Sequence, residues 1–297
     1  MSERYFVLSR PGVVEVWSTV RLPYEPRGWL IDLRSQLRMA LTNLSQTSSG
    51  RLHAIYSAAD DGAFVDVENV LLYNVGGTAL RSLTRKSVTI ERGYHVPIPP
   101  PGARLTDVEA LHYHRYSEAQ EAPRGCWEPG VELGAFTDVP VDAMGKPAPV
   151  WKSIRDTATP PNQTAPAPVK FLVNLHVIDT LSPGGTGSVF GIIKPLLDGI
   201  ISAYHSHEGS DGATESQLLS GLGHGAEEDL RNELLDPRWA ALGPRRLVRP
   251  FGAKGVQWNP ADDFCVFAHV TLNSGAAGSV ENPARWHITA ELRVAST

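Results

Sequence analysis

Apolar and polar residues alternate through "VVEVWSTVRL" (Val13–Leu22), where β-branched residues dominate, and this predicts a strand ending at Pro23. The next stretch, "RGWLIDLRSQLRMALTNL", changes period. Trp29, Leu30, Leu33, Leu37, Met39, Leu41 and Leu44 recur largely at three- and four-residue steps, the spacing of an amphipathic helix. "RLHAIYSA" predicts a second strand, followed by the acidic turn "ADDGAF" and by "VDVENVLLYNVG", a short helix starting near Asp66 and stopping at Gly76. "RKSVTIERGYHV" supplies a third strand, so the order is β-α-β-α-β.

The prolines of "VPIPPPGARL" favour an extended backbone and open a stiff connector over residues 101–130. The same order then restarts. "VELGAFTDVPVD" predicts a strand, "VWKSIRDTA" a short helix, "TPPNQTAPAP" a turn and "VKFLVNLHVI" an apolar strand. "FGIIKPLLDGIISAYHSH" follows a glycine turn; Pro195 suits a first helical turn, and Leu196, Leu197, Ile200, Ile201 and Tyr204 form an apolar face. Residues 208–255, rich in Gly, Ser, Asp and Glu, read as an insertion with one helix at "AEEDLRNELL", and "RWHITAELRV" is a last strand. The expected fold is α/β (α+β), with residues 1–100 and 131–297 as two similar halves of one compact pseudo-dimeric body. An internal duplication and the ordinary alternation of elements in α/β chains both account for the repeated order.

With 297 residues, 42% hydrophobic and 20% charged, the chain is long enough for a substantial core. The formal net charge of −5 argues against a broadly basic surface and leaves room for a local basic groove. Two cysteines, Cys126 in a loop and Cys265 in an apolar strand pattern, indicate neither a disulfide framework nor a cysteine-based zinc site. No apolar run approaches 18 residues and "MSERYFVLSRPG" has no signal-peptide pattern, so the expected location is cytoplasmic, away from membranes.

Overlaying the two helix starts, "DVENVLLYNV" and "LLDGIISAYH", puts Glu68 and Asp198 in one slot. Asp66, Glu68 and Asn69 in the first half match an Asp-x-Asp-Asn core. In the second half Lys194, Pro195 and Asp198 match a Lys/Arg-Pro helix motif, and Trp258, Asp262, Asp263 and Val266 match a strand motif with an aromatic, two acids and a valine. In these motifs the chain resembles the RusA-type Holliday junction resolvases. It departs from them where Leu196 replaces the first acid, Gly199 replaces the asparagine, and no acid pair precedes "SVTIERG". The resemblance implies a nucleic-acid-processing protein, either a Mg²⁺-dependent endonuclease on structured DNA or a catalytically degenerate relative. It also implies carboxylates Asp66, Glu68, Asp198, Asp262 and Asp263 as catalytic or metal-holding residues. Mg²⁺ takes a few carboxylates and keeps several waters, which suits phosphodiester cleavage. Asp66 with Glu68, and Asp198 with Asp262 or Asp263, are then candidates for one ion each. Phosphate contacts would fall to Lys194, Arg85, Lys86, Arg245, Arg246 and Arg249.

Each acid also has a simpler reading. Asp66 suits a helix N-cap with Glu68 in the first turn, Asp198 an i,i+4 ion pair with Lys194, and Asp262–Asp263 a turn before a strand. A different chemistry is offered by "HYHRYSEAQEAPRG", in which His112, His114 and Glu118 form H-x-H-x-x-x-E ahead of Gly125, similar to the first metal motif of cupins. On a strand, positions i and i+2 share a face, so these residues could take a transition metal in a small-molecule enzyme. The motif's leading glycine and its second half are missing. His205 and His207 form a similar pair near a helix end. No phosphate-binding glycine loop and no G-x-S-x-G elbow occurs. A third class of reading drops the chemistry and leaves a binding or scaffolding protein that meets a partner through residues 208–255.

Overall fold

The structure, a computed structural model, describes residues 4–59, 65–105, 111–119, 125–161, 169–180, 187–208, 227–252, 255–275 and 286–297. The acidic turn at 60–64, the turns at 162–168 and 181–186, and residues 209–226 of the expected insertion lie outside the described residues.

In chain order the elements are β1 (Tyr5–Arg10), β2 (Val13–Ser18), α1 (Trp29–Ser45), β3 (Arg51–Ala58), α2 (Thr78–Leu83), β4 (Ser87–Arg92), β5 (His112–Glu118) and β6 (Glu128–Val141). There follow α3 (Pro147–Thr157), β7 (Phe171–Asp179), α4 (Ile193–Ala203), β8 (Ser206–His207), α5 (Glu227–Leu235), β9 (Pro244–Arg245), β10 (Val248–Phe251), β11 (Gly255–Trp258), β12 (Cys265–Ser274) and β13 (Trp286–Ser296). One nine-stranded mixed sheet runs β1-β2-β5-β3-β4-β12-β7-β13-β6. β3 and β4 are parallel, as are β7 and β12, and all other neighbours in this sheet are antiparallel. The central pair, β4 and β12, sets Glu91 opposite Phe267. Outward from that pair the order is β4, β3, β5, β2 on one side and β12, β7, β13, β6 on the other.

Alternation places Leu52, Ala54 and Tyr56 of β3 and Ala268 and Val270 of β12 in the main core. Leu33, Leu37, Leu41 and Leu44 of α1 join it at helical spacing, each worth about 1.5–3 kcal/mol when fully buried. Met39 does not: it is 63% exposed, because it falls off the leucine stripe.

α3 and α4 pack closely. A Cβ at Gly199 would come within 2.6 Å of Val150 Cβ and 2.8 Å of the Pro147 carbonyl oxygen, so only glycine allows this approach. Leu196, the residue that departs from the acidic motif, is fully buried. Both departures are therefore set by packing.

The expected connector over 101–130 needs correction. It contains β5, which inserts between β2 and β3, and β6 already begins at Glu128. This is the strand that the H-x-H-x-x-x-E reading assumes; it does not stand out within the connector because its buried residues are aromatic and polar rather than aliphatic. The first half also carries β1 and α2, which the sequence pattern did not reveal.

Candidate functional site

The helical segment after β3 begins at Asp66. The Asn69 backbone N–H donates to Asp66 Oδ1 at 3.0 Å, and the Val70 N–H donates to the Asp66 carbonyl at 3.2 Å, so this side chain caps the segment as expected. Its other oxygen, Oδ2, accepts from the Asn69 amide and lies 3.3 Å from Lys194 Nζ. The cap and the site share one carboxylate. The segment widens into a π-type turn over Asn69–Tyr73, where Asn74 N–H reaches back five residues to the Asn69 carbonyl at 2.8 Å.

Lys194 and Asp198 stand one turn apart on α4, and the expected i,i+4 pair is present at 3.4 Å. Lys194 does more than pair within its helix. Its ammonium lies 3.3 Å from Asp66, 3.7 Å from Glu68 and 3.5 Å from Asp262 as well. Residues distant in sequence thus meet around one cation. Two separate pairs of acids were expected to serve one ion each; the geometry instead gathers Asp66, Glu68, Asp198 and Asp262 around one ammonium.

Asp262 and Asp263 open the short helical turn Asp262–Phe264 that leads into β12. The Asp263 N–H donates to Asp262 Oδ1 at 3.1 Å, which is the turn role, while Asp262 Oδ2 faces Lys194. Asp263 makes no ion pair with Lys194 among the described residues and lies in the field of Arg245. Only the first acid of the pair joins the cluster.

Four carboxylates against one ammonium leave an excess of negative charge in a half-closed place. Burial pushes the Glu68 carboxyl well above its ordinary range, and Asp66, Asp198 and Asp262 add to this against the opposing pull of Lys194. Burial likewise lifts Asp198 to about 6, with Lys194 opposing. Asp262 is raised by burial and then by Asp66. Burial works against the charge of Lys194, yet the carboxylates, led by Glu68, outweigh it and hold the ammonium protonated. Glu68 Oε1 is buried without a hydrogen-bond partner among the described residues, an unsatisfied acceptor beside the cation.

Beside these acids lies a cavity of about 470 Å³, lined by Lys194, Asp198 and Asp262 on one side and by Phe251, Gln257 and Trp258 of the β10–β11 hairpin on another. The hairpin pairs Val248 with Trp258 and Phe251 with Gly255. Its first strand lies in the expected insertion and its second runs out of it to Trp258, the aromatic of the expected strand motif, whose ring lies 5.6 Å from that of Trp151 in α3. Reading "VRPF" and "GVQW" as strands flanking a Gly252–Gly255 turn was available from the sequence. Its position beside the acids was not.

The basic residues divide. Lys194 is at the centre. Arg85 and Lys86 are exposed at the start of β4, the end of the β4–β12 pair remote from Asp262. Arg245 is half-buried near Asp263, and Arg249 on the hairpin donates to Gln257 Oε1 at 3.1 Å. Arg246 is exposed, and its carbonyl accepts from the Asn259 side chain at 3.3 Å.

The histidine motif lies on β5 as the spacing requires, but each member is engaged elsewhere. Tyr56 hydroxyl and His112 Nδ1 are 2.8 Å apart, and His114 Nδ1 lies 3.3 Å from the Tyr116 hydroxyl. Glu118 accepts from the Ser49 N–H at 2.8 Å. Burial, then His112, pushes His114 down to about 3. His205 is buried, with Nδ1 2.8 Å from the Gly243 carbonyl, and His207 Nδ1 accepts from the Leu247 N–H at 3.2 Å.

Among the described residues no group of three or more His, Cys, Asp and Glu is spaced to hold a metal ion as it stands. At the acid cluster the carboxylate oxygens face an ammonium nitrogen at 3.3–3.7 Å. Among the described residues no helix is long and apolar enough to cross a membrane. Comparison of the chain with family models, curated proteins and solved structures finds no match.

Proposed function

We propose that this is a RusA-like protein acting on structured nucleic acid, with Mg²⁺-dependent phosphodiester hydrolysis at the cluster around Lys194. The observation that carries this reading is the meeting of Asp66, Glu68, Asp198 and Asp262 on one ammonium. The strand order on either side of β4–β12, with a parallel pair next to the centre in each direction, supports two related halves joined as a pseudo-dimer. On that view neither half needs a complete acid set. The first contributes Asp66 and Glu68, the second Lys194, Asp198 and Asp262, and the motif positions lost at Leu196 and Gly199 belong to the α3–α4 packing instead.

The residues fit a divalent cation: oxygen donors only, negative charge in excess, and a buried unpartnered oxygen on Glu68. Asp66, Glu68, Asp198 and Asp262 would hold it. Bound there, Mg²⁺ supplies an activated water and stabilisation of the leaving oxygen. Asp66 is fixed by its cap and Asp262 by its turn, so each presents one oxygen from a rigid backbone. Burial lifts Asp198 to about 6 in the metal-free cluster, so a bound cation would compete with its proton. Lys194, which faces the same four carboxylates, would be the residue placed to meet a phosphate oxygen if a divalent cation took over their charge.

Cleavage of branched DNA with Mg²⁺ tests this. Asp262→Asn lowers the rate by about 100-fold or more, an effect of at least about 3 kcal/mol, while Asp263→Asn retains most activity. Cleavage that survives Asp198→Asn combined with Asp262→Asn, or is absent from the wild type, overturns the catalytic reading. Binding without cleavage would mark a degenerate relative, a reading favoured by the way Lys194 already occupies the middle of the acids.

A further inference from the structure

We propose that the cavity between α4 and the β10–β11 hairpin takes one unpaired nucleotide of a branched nucleic acid, with its base stacked at Phe251 and its phosphate at Lys194. This rests on the nucleic-acid reading above and names the part of the substrate that the site selects. At about 470 Å³ the cavity lies within the range of roughly 300–1,000 Å³ typical of pockets that enclose a small molecule. At that volume it has room for one nucleotide-sized group.

Phe251 is 65% exposed, a large ring at the end of β10 next to the acid cluster rather than in a core. Trp258 closes the same cavity from the partner strand, held by its contact with Trp151. Every base offers a π face, so aromatic rings beside a phosphate-directed cation suit an unstacked nucleotide irrespective of sequence. Two amides at the cavity have their polarity set from behind. Arg249 donates to Gln257 Oε1, which leaves the Gln257 NH₂ as a donor; the Asn259 NH₂ donates to the Arg246 carbonyl, which leaves the Asn259 oxygen as an acceptor. A base edge carrying both an acceptor and a donor can meet this pair. The acidic wall repels a bare phosphate, so entry of the nucleotide depends on the divalent cation.

The test uses the full chain with Ca²⁺ in place of Mg²⁺ to hold back cleavage. Two probes are compared: a DNA flap with a fluorescent adenine analogue at its first unpaired position, and the same sequence fully paired. The wild type binds the flap more tightly and quenches the analogue. Phe251→Ala weakens flap binding about tenfold, within the range for loss of one stacking ring, and leaves duplex binding unchanged. Phe251→Trp restores binding and quenching. Equal effects of Phe251→Ala on both probes, no effect on either, or an unquenched analogue overturns the pocket. Quenching in Ca²⁺ with no cleavage in Mg²⁺ upholds the pocket while the catalytic reading fails. Wild-type cleavage unaltered in Phe251→Ala with an unquenched analogue does the reverse.

Discussion

The acid cluster and the histidine strand hold the same kinds of side chain, yet folding treats them oppositely. His112, His114 and Glu118 share one face of β5, so the backbone brings them close without any tertiary structure. Each is then satisfied by a partner, Tyr116 on the same strand or Tyr56 and the Ser49 backbone from the neighbouring β3 region. Asp66, Glu68, Asp198 and Asp262 come from three separate segments and are brought together only by the sheet and α4. They remain unbalanced in charge beside an open cavity. Closeness in sequence is thus a poor guide to reactivity, because neighbours on one strand are easily saturated. Acids assembled from distant elements lack that outlet, and burial raises their carboxyls instead.

Lys194→Met cuts deepest into this contrast. Removing the ammonium that faces four partly buried carboxylates destabilises the protein by about 3–5 kcal/mol in chelator at pH 8. Mg²⁺ at about 100 times its dissociation constant then restores about 2.7 kcal/mol. His112→Ala shows no such rescue. Urea denaturation with and without the cation measures both, and a Lys194→Met loss indifferent to Mg²⁺ would reduce the cluster to a structural ion-pair network.

The two regions also titrate in opposite senses. Asp198, at about 6 in the fold against about 3.9 unfolded, contributes stability that is present below about pH 4 and lost as pH rises through 6. Asp198→Asn therefore gains on the wild type between pH 4 and 7, by something on the order of 2 kcal/mol. His114, at about 3 in the fold against about 6.5 unfolded, contributes stability present above about pH 6.5 and lost as pH falls through 3. His114→Gln flattens that acid limb. Thermal melts across pH in chelator read both slopes, and parallel slopes for the two variants would erase the distinction.

The smallest effect is expected at the rim. Arg249→Ala changes stability by no more than about 0.5 kcal/mol, since its guanidinium meets only Gln257 among the described residues. If Arg249 meets a phosphate, the slope of log affinity against log salt falls by about 0.7–0.9. An unchanged slope removes Arg249 from the nucleic-acid surface.

Much of the fold was legible. The strands at Val13, Arg51, Phe171 and Trp286 and the helices α1 and α4 follow from periods of two and of three to four residues, which are properties of each segment alone. The cap at Asp66 and the ion pair of Lys194 with Asp198 were legible for the same reason. β5 was legible only through the histidine motif, since its buried residues are polar and aromatic, and Leu196 and Gly199 read as defects in a motif until α3 was seen against them. Cap and cluster member are not exclusive roles for Asp66. A carboxylate has two oxygens, and here one serves each role.

By itself, then, the sequence determined most of the local elements and which acids stand at helix and strand entries, because those depend on neighbours within a few residues. Only the tertiary structure decided that Asp66 and Asp262, 196 positions apart by their numbers, face the same ammonium. That depends on β4 lying antiparallel to β12 and on α4 reaching the helical segment at Asp66. Such pairing is set by the burial of whole faces, and no single stretch of chain encodes it.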